Sequence, residues 1–300
     1  MMEYVEFFDL ARNGELNTVP KESLTLRALL VRDVMDNTPL HEAAEQGHLD
    51  QIPSGFLNGY TMLMHDKAGL TPLHKAASCG HLDQLPRVLL AECYLRVPDN
   101  NGLTSFHCAA AKHLGQIPEQ LLTAKNMTIP DKIGSTPMHV AARNAGALGQ
   151  VPERLLTSET LTVKDKQEST PLHSAARAGN LAVIPSGVLT MESMTIRDVI
   201  GWTPLHVAAD NGWLGQVVHL LTPEAMLLPT RCEGLNFEFT PLNILAEKRT
   251  LDQILGADFG NDERIRKVVG EDWWERNQRV LEQSASLAME REDSNDMDLF

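Results

Sequence analysis

Histidine is the residue type whose number and spacing in this chain most invite chemistry. Six of the eleven histidines, His41, His74, His107, His139, His173 and His206, recur at intervals of 32 to 34 residues. A row of imidazoles is a candidate metal array, since the neutral ring is a common metal ligand. The interval argues against it. Each ring belongs to its own repeat, and stacked repeats lie about 10 Å apart, too far for shared ligation of one ion. No Gly-rich phosphate loop, GxSxG or HExxH is present, and the abundant carboxylates have no evident facing pair. The four cysteines, Cys79, Cys93, Cys108 and Cys232, lack CxxC spacing and fit free thiols in a reducing compartment. Cys79 falls at the end of a predicted helix with no base spaced to activate it. These residues imply no catalytic site, no metal and no cofactor.

The elements that carry the histidines repeat with them. Thr-Pro-Leu-His stands at Thr38, Thr71, Thr170 and Thr203, with near-copies at Thr104, Thr136 and Thr240. Threonine is a good N-cap, because its hydroxyl accepts from a free N–H one turn on. Proline next to it costs nothing, since the first helical N–H has no partner. Ala-Ala pairs such as Ala43-Ala44, Ala76-Ala77 and Ala208-Ala209 allow close helix packing. Gly47, Gly80, Gly146, Gly179 and Gly212 then read as left-handed helix ends. A leucine two residues further (Leu49, Leu82, Leu181, Leu214) opens a second helical segment, and Asp-x-x-Gly closes most repeats as a turn.

This period and the T-P-L-H-x-A string resemble the ankyrin repeat. The resemblance implies an all-α ankyrin-repeat solenoid of about eight helix-turn-helix units with finger loops. It also implies that each TPLH histidine bonds its own threonine and ties neighbouring loops together. The marks divide the chain into an N-terminal capping repeat at 1–37, ankyrin repeats at 38–258, a C-terminal helical cap at 259–289 anchored by Trp273 and Trp274, and an acidic disordered tail at 290–300.

One mark departs from common ankyrin repeats. Proline recurs at Pro20, Pro53, Pro86, Pro118, Pro152 and Pro185, mostly in the context Gln-Ile/Leu/Val-Pro. A helix interior does not tolerate proline, so the second helix is expected to start late or kink there. The strings after it, at Thr157, Thr190 and Thr222, read as a fresh N-cap and one more helical turn. The Thr104 repeat lacks one residue between its helices, the Thr136 repeat has one extra near Ala145, and the Thr203 repeat has four extra in its finger.

The net charge of −14 and a pI near 5.2 disfavour nucleic acid and anionic membrane as partners. No apolar run reaches the roughly 20 residues of a membrane span, and the first residues do not read as a signal peptide, so a cytoplasmic monomer is the expectation. By resemblance, a protein partner lies along a concave face of finger tips and first helices. The candidate contact residues are Val199, Ile200, Trp202 and Trp213, with Val34, Met35, Ile133, Phe237 and Phe239 on other fingers, because clustered exposed apolar groups mark interaction sites. Leu299 and Phe300 end an acidic tail that resembles two bacterial linear motifs, the sliding-clamp-binding peptide and the C-terminus of single-stranded-DNA-binding protein. The expected function is a non-enzymatic protein-binding scaffold. The alternative is an adaptor or host-directed effector whose C-terminal segment carries the activity or binds a second partner.

Overall fold

The computed structural model describes residues 4–230, 239–248, 250–254 and 263–271, and the chain divides into two compact units, Met1–Leu155 and Leu156–Phe300. Phe237, Trp273, Trp274, Leu299 and Phe300, and the tail as a whole, lie outside the described residues. Among the described residues there is no β-strand.

In the first unit, helices Tyr4–Asn13, Pro39–Gln46, Pro72–Cys79, Ser105–Ala110 and Pro137–Ala142 pack side by side in chain order. In the second, Pro171–Ala178, Pro204–Asn211 and Pro241–Lys248 do the same, and Glu263–Val269 packs on the last of them. Each TPLH helix starts as its residues dictate. The threonine is extended, near φ −110° and ψ 165°, and shares a capping box with the histidine three residues on. The Ala pairs and the TPLH leucines are fully buried, which is what lets the helices approach closely. At the C-terminal ends, Gly47, Gly80, Gly179 and Gly212 hold φ between 76° and 85°, a conformation that a side chain would strain.

Gly146 corrects the expectation. It is not a left-handed helix end but lies inside the short helix Ala145–Leu148. The extra residue of that repeat allows Asn144 to restart the helix, its Oδ1 accepting from the N–H groups of Gly146 at 2.9 Å and Ala147 at 3.3 Å.

The second helical segment is also not one helix. In the Thr38 repeat it is a 3-10 turn (Leu49–Gln51), an extended Ile52, Pro53, a second 3-10 turn (Ser54–Phe56) and a single α-turn (Gly59–Met62). The same order recurs around Pro86 and Pro118. Proline forces the residue before it out of the helical region, so Ile52, Leu85, Ile117 and Ile184 take ψ of 126°, 146°, 130° and 134°. The fresh caps are present: Thr157, Thr190 and Thr222 start the turns Ser158–Leu161, Met191–Met194 and Pro223–Met226.

The glutamine of the Gln-x-Pro context has a role that its spacing alone does not reveal. Gln84 Nε2 donates to the Gly47 carbonyl at 2.7 Å, while its Oε1 accepts from Leu49 N–H at 2.9 Å. Gln216 repeats this with Gly179 and Ala182, at 2.7 and 3.2 Å, and Gln150 with Lys112 and Gly115, at 2.9 and 2.8 Å. One planar amide therefore satisfies a carbonyl and an N–H on either side of the turn between the first helix and the second segment of the preceding repeat. A ring covers the same place. A Cβ on Gly47 would stand 2.7 Å from His81, one on Gly80 2.7 Å from His113, and one on Gly179 2.6 Å from Trp213.

Candidate protein interface

The fingers are hairpins closed by one carboxylate each. Asp66 Oδ1 accepts from the N–H groups of Ala68 and Leu70, both at 2.8 Å, and Asp198 Oδ1 from those of Ile200 at 3.1 Å and Trp202 at 2.8 Å. Burial pushes the Asp198 carboxyl above its usual range even though those two N–H groups act the other way. The fourth finger residue is left-handed. It is Gly69, Gly102, Gly134 or Gly201 in four fingers, but Asp36 (φ 61°) and Glu168 (φ 54°) in two.

Successive fingers are bonded into rows. In the first unit Lys67 N–H donates to Met35 O at 2.9 Å, Asn100 to Ala68 at 3.0 Å and Lys132 to Asn101 at 2.8 Å. In the second, Val199 donates to Gln167 at 3.0 Å. From inside, the histidines hold the rows. Thr38 N–H donates to His41 Nδ1 at 3.0 Å, and Nε2 lies 3.1 Å from Leu70 O in the next finger. Because a backbone N–H can only donate, Nδ1 is the acceptor, so the proton sits on Nε2 and goes to the carbonyl. His74 reaches Leu103 O, His107 Ser135 O, His173 Trp202 O and His206 Phe239 O in the same way. Both ring nitrogens of these five are occupied by the fold, which is the role the resemblance implied and leaves no lone pair for a metal. Burial pushes His41 and His206 down to about 4 and lowers His74 and His107, keeping these rings neutral.

The candidate contact residues separate into two groups on these rows. Val34, Met35 and Ile133 are exposed at finger tips of the first unit, Val34 at 83%. Val199 and Ile200, each 53% exposed, form the tip of a finger in the second. Trp202 is half-buried below them, with its ring centroid 6.2 Å from that of His206. Trp213 shows 41% of its surface but lies over Gly179, in the place His81 takes over Gly47. Phe239 closes the long finger: its carbonyl accepts from Thr230 N–H at 2.7 Å, and its N–H donates to Thr230 Oγ1 at 3.1 Å. The structure thus brings Val199 and Ile200 together and gives Trp202, Trp213 and Phe239 packing or hydrogen-bonding duties. Burial raises the Cys79 thiol, and it raises Cys108 to about 12, so neither is an activated nucleophile.

Residues 40–131 match the family model for ankyrin repeats in three copies. That stretch consists of ankyrin repeats, and the same Thr-His cap at Thr136, Thr170 and Thr203 continues the pattern past it. Ankyrin repeats are in general protein-interaction modules, typically non-catalytic. None of the curated proteins compared with the chain matches it. Among the described residues, no helix is long and apolar enough to cross a membrane.

Proposed function

We propose that this chain is a protein-binding scaffold that recognises a partner through its finger tips and first helices. The observation that carries the reading is the finger of Val199 and Ile200, two aliphatic side chains held half in water on a hairpin that their own packing does not require. Asp198 and the backbone close that hairpin whatever residues stand at its tip. Exposed apolar groups on a rigid support favour association, because little ordering entropy is lost when a partner covers them. Val34, Met35 and Ile133 offer the same chemistry on the fingers of the first unit. A photo-crosslinking residue placed at position 200, and in a separate protein at position 159 on a second-segment turn, tests the reading in lysate of the source organism. Crosslinks to a defined protein from position 200 alone support it. Equal yields from both positions contradict it.

A further inference from the structure

The broken second segment leaves a groove that a continuous helix would fill. Between the turns of the Thr38 and Thr71 repeats it encloses about 550 Å³ and is lined by Ile52, Pro53, Leu57, Leu85 and Pro86, with Asp50 in its wall. Close to its lining in the chain are Tyr60, three residues after Leu57 and 66% exposed, and Val88, two residues after Pro86 and 68% exposed. Most corresponding places in other repeats are polar or empty. Lys125, Glu159, Glu192 and Glu224 match Tyr60, as does the small Cys93, while Gly55, Gln120, Arg154 and Gly187 match Val88, with Leu220 the apolar exception. Tyr94 adds to the patch by lying over Gly59, where a Cβ would meet its ring at 2.7 Å.

Asp50 is the charged residue among those described in the lining of this groove, and the exposed Arg87 follows Pro86 in the chain. Asp50 and Asp83 occupy the same position in successive 3-10 turns, which the Gln84 amide holds together through Gly47 and Leu49. Both carboxylates are exposed and have no basic partner among the described residues. The Thr104 to Thr203 repeats carry Gly115, Gly149, Ala182 and Gly215 there, and the Thr240 repeat carries Asp252. The larger groove of the first unit, about 860 Å³, differs in having Arg87 and Glu119 together in its lining, with Glu119 also paired to Arg154 at 3.0 Å.

We propose that the groove between Pro53 and Pro86 docks a cationic segment of a partner protein, separately from the finger face. An aliphatic or prolyl side chain of that segment enters between the two prolines, and its Lys or Arg residues pair with Asp50 and Asp83. The apolar floor supplies the burial, and the carboxylates select the sign of charge and speed the encounter.

The test is a titration of the full-length ¹⁵N-labelled protein with three short amidated peptides. One is Leu-Pro-Leu flanked by Lys and Arg, one the same core flanked by Asp and Glu, and one Gly-Ser-Gly flanked by Lys and Arg. The first peptide is expected to shift amides at 49–60 and 83–94 with millimolar or tighter affinity, and the other two to bind at least about threefold more weakly. Asp50→Asn with Asp83→Asn should weaken the first peptide and flatten its salt dependence. Tyr60→Ser with Val88→Ser should weaken it and leave the salt dependence as it was. All four positions are exposed, and an unchanged circular dichroism spectrum checks the fold of each variant. Shifts centred on the fingers, equal binding of the acidic peptide, or no shift at millimolar peptide would each overturn the proposal.

Discussion

The side-chain amide of Gln84 spans the turn between the first helix and the second segment of the repeat before its own, giving its N–H to Gly47 O at 2.7 Å and taking Leu49 N–H at 2.9 Å. Neighbouring repeats are therefore joined by directional bonds as well as by apolar packing. Gln84→Ala should cost about 2 kcal/mol, because it strands a carbonyl and an N–H beside the buried Leu49. Equilibrium urea unfolding measures this. An unchanged midpoint would mean that water replaces the amide without loss.

The histidine row makes the fold sensitive to acid, and the sign follows from the lowered values. An unfolded histidine takes up a proton near pH 6.5, whereas His41 and His206 stay neutral in the fold down to about 4. As the pH falls below 6.5 the unfolded state binds protons that the folded state refuses, and stability drops until the folded rings titrate. This contribution is full above pH 7 and is lost between about 6.5 and 4. The groups around His41 act in both directions: Asp66 favours its cation, while Lys75 and Arg32 oppose it. A ring-proton titration of His41 followed by NMR should have its midpoint near 4. A midpoint near 6.5 would contradict the buried, neutral assignment.

Ser105 stands where six other repeats have proline, and its buried Oγ has no hydrogen-bond partner. Its backbone N–H is the first of the helix Ser105–Ala110 and needs no intrahelical acceptor. Ser105→Pro should raise stability by about 0.5–1 kcal/mol, mainly by restricting the unfolded chain. Thermal melting reports it, and a lowered melting point would show that the site cannot take the ring.

Glu168 is a non-glycine residue at φ 54° in a finger position held by glycine in four others. Its exposed ion pair with Lys164 returns little. Glu168→Gly should stabilise the second unit by about 1 kcal/mol by removing the left-handed strain. Denaturant unfolding of the variant checks it; a loss of stability would assign the finger conformation to the glutamate itself.

Much of this architecture was legible in the residues. Thr-Pro-Leu-His marks a cap, a helix start and a buried leucine within four positions, so the first helices and their histidine bonds could be read locally. The second segment could be read only in part. The prolines announced a break, but whether the remainder would be a late α-helix or a string of turns depended on what satisfied the exposed backbone groups. After the proline, local 3-10 bonds and the fresh caps satisfy those groups, while Gln84 and its equivalents bridge the turn before it, with partners 34 to 38 residues away in chain and invisible to local spacing. Gly146 departs from the left-handed expectation because an inserted residue moves it one place into a new helix capped by Asn144. Trp213 reads as a contact residue by composition, yet its position matches His48 and His81, and that alignment was the available sign that it covers a glycine.

Whether the finger of Val199 and Ile200 takes the partner is decided by a single affinity comparison. The partner captured by the intact chain is titrated against the Val199→Asp/Ile200→Asp variant, with circular dichroism and the melting point of both proteins recorded. Loss of two apolar anchors should weaken the affinity at least about tenfold, in a variant that folds as the intact chain does. Equal affinity for the two folded proteins would contradict it.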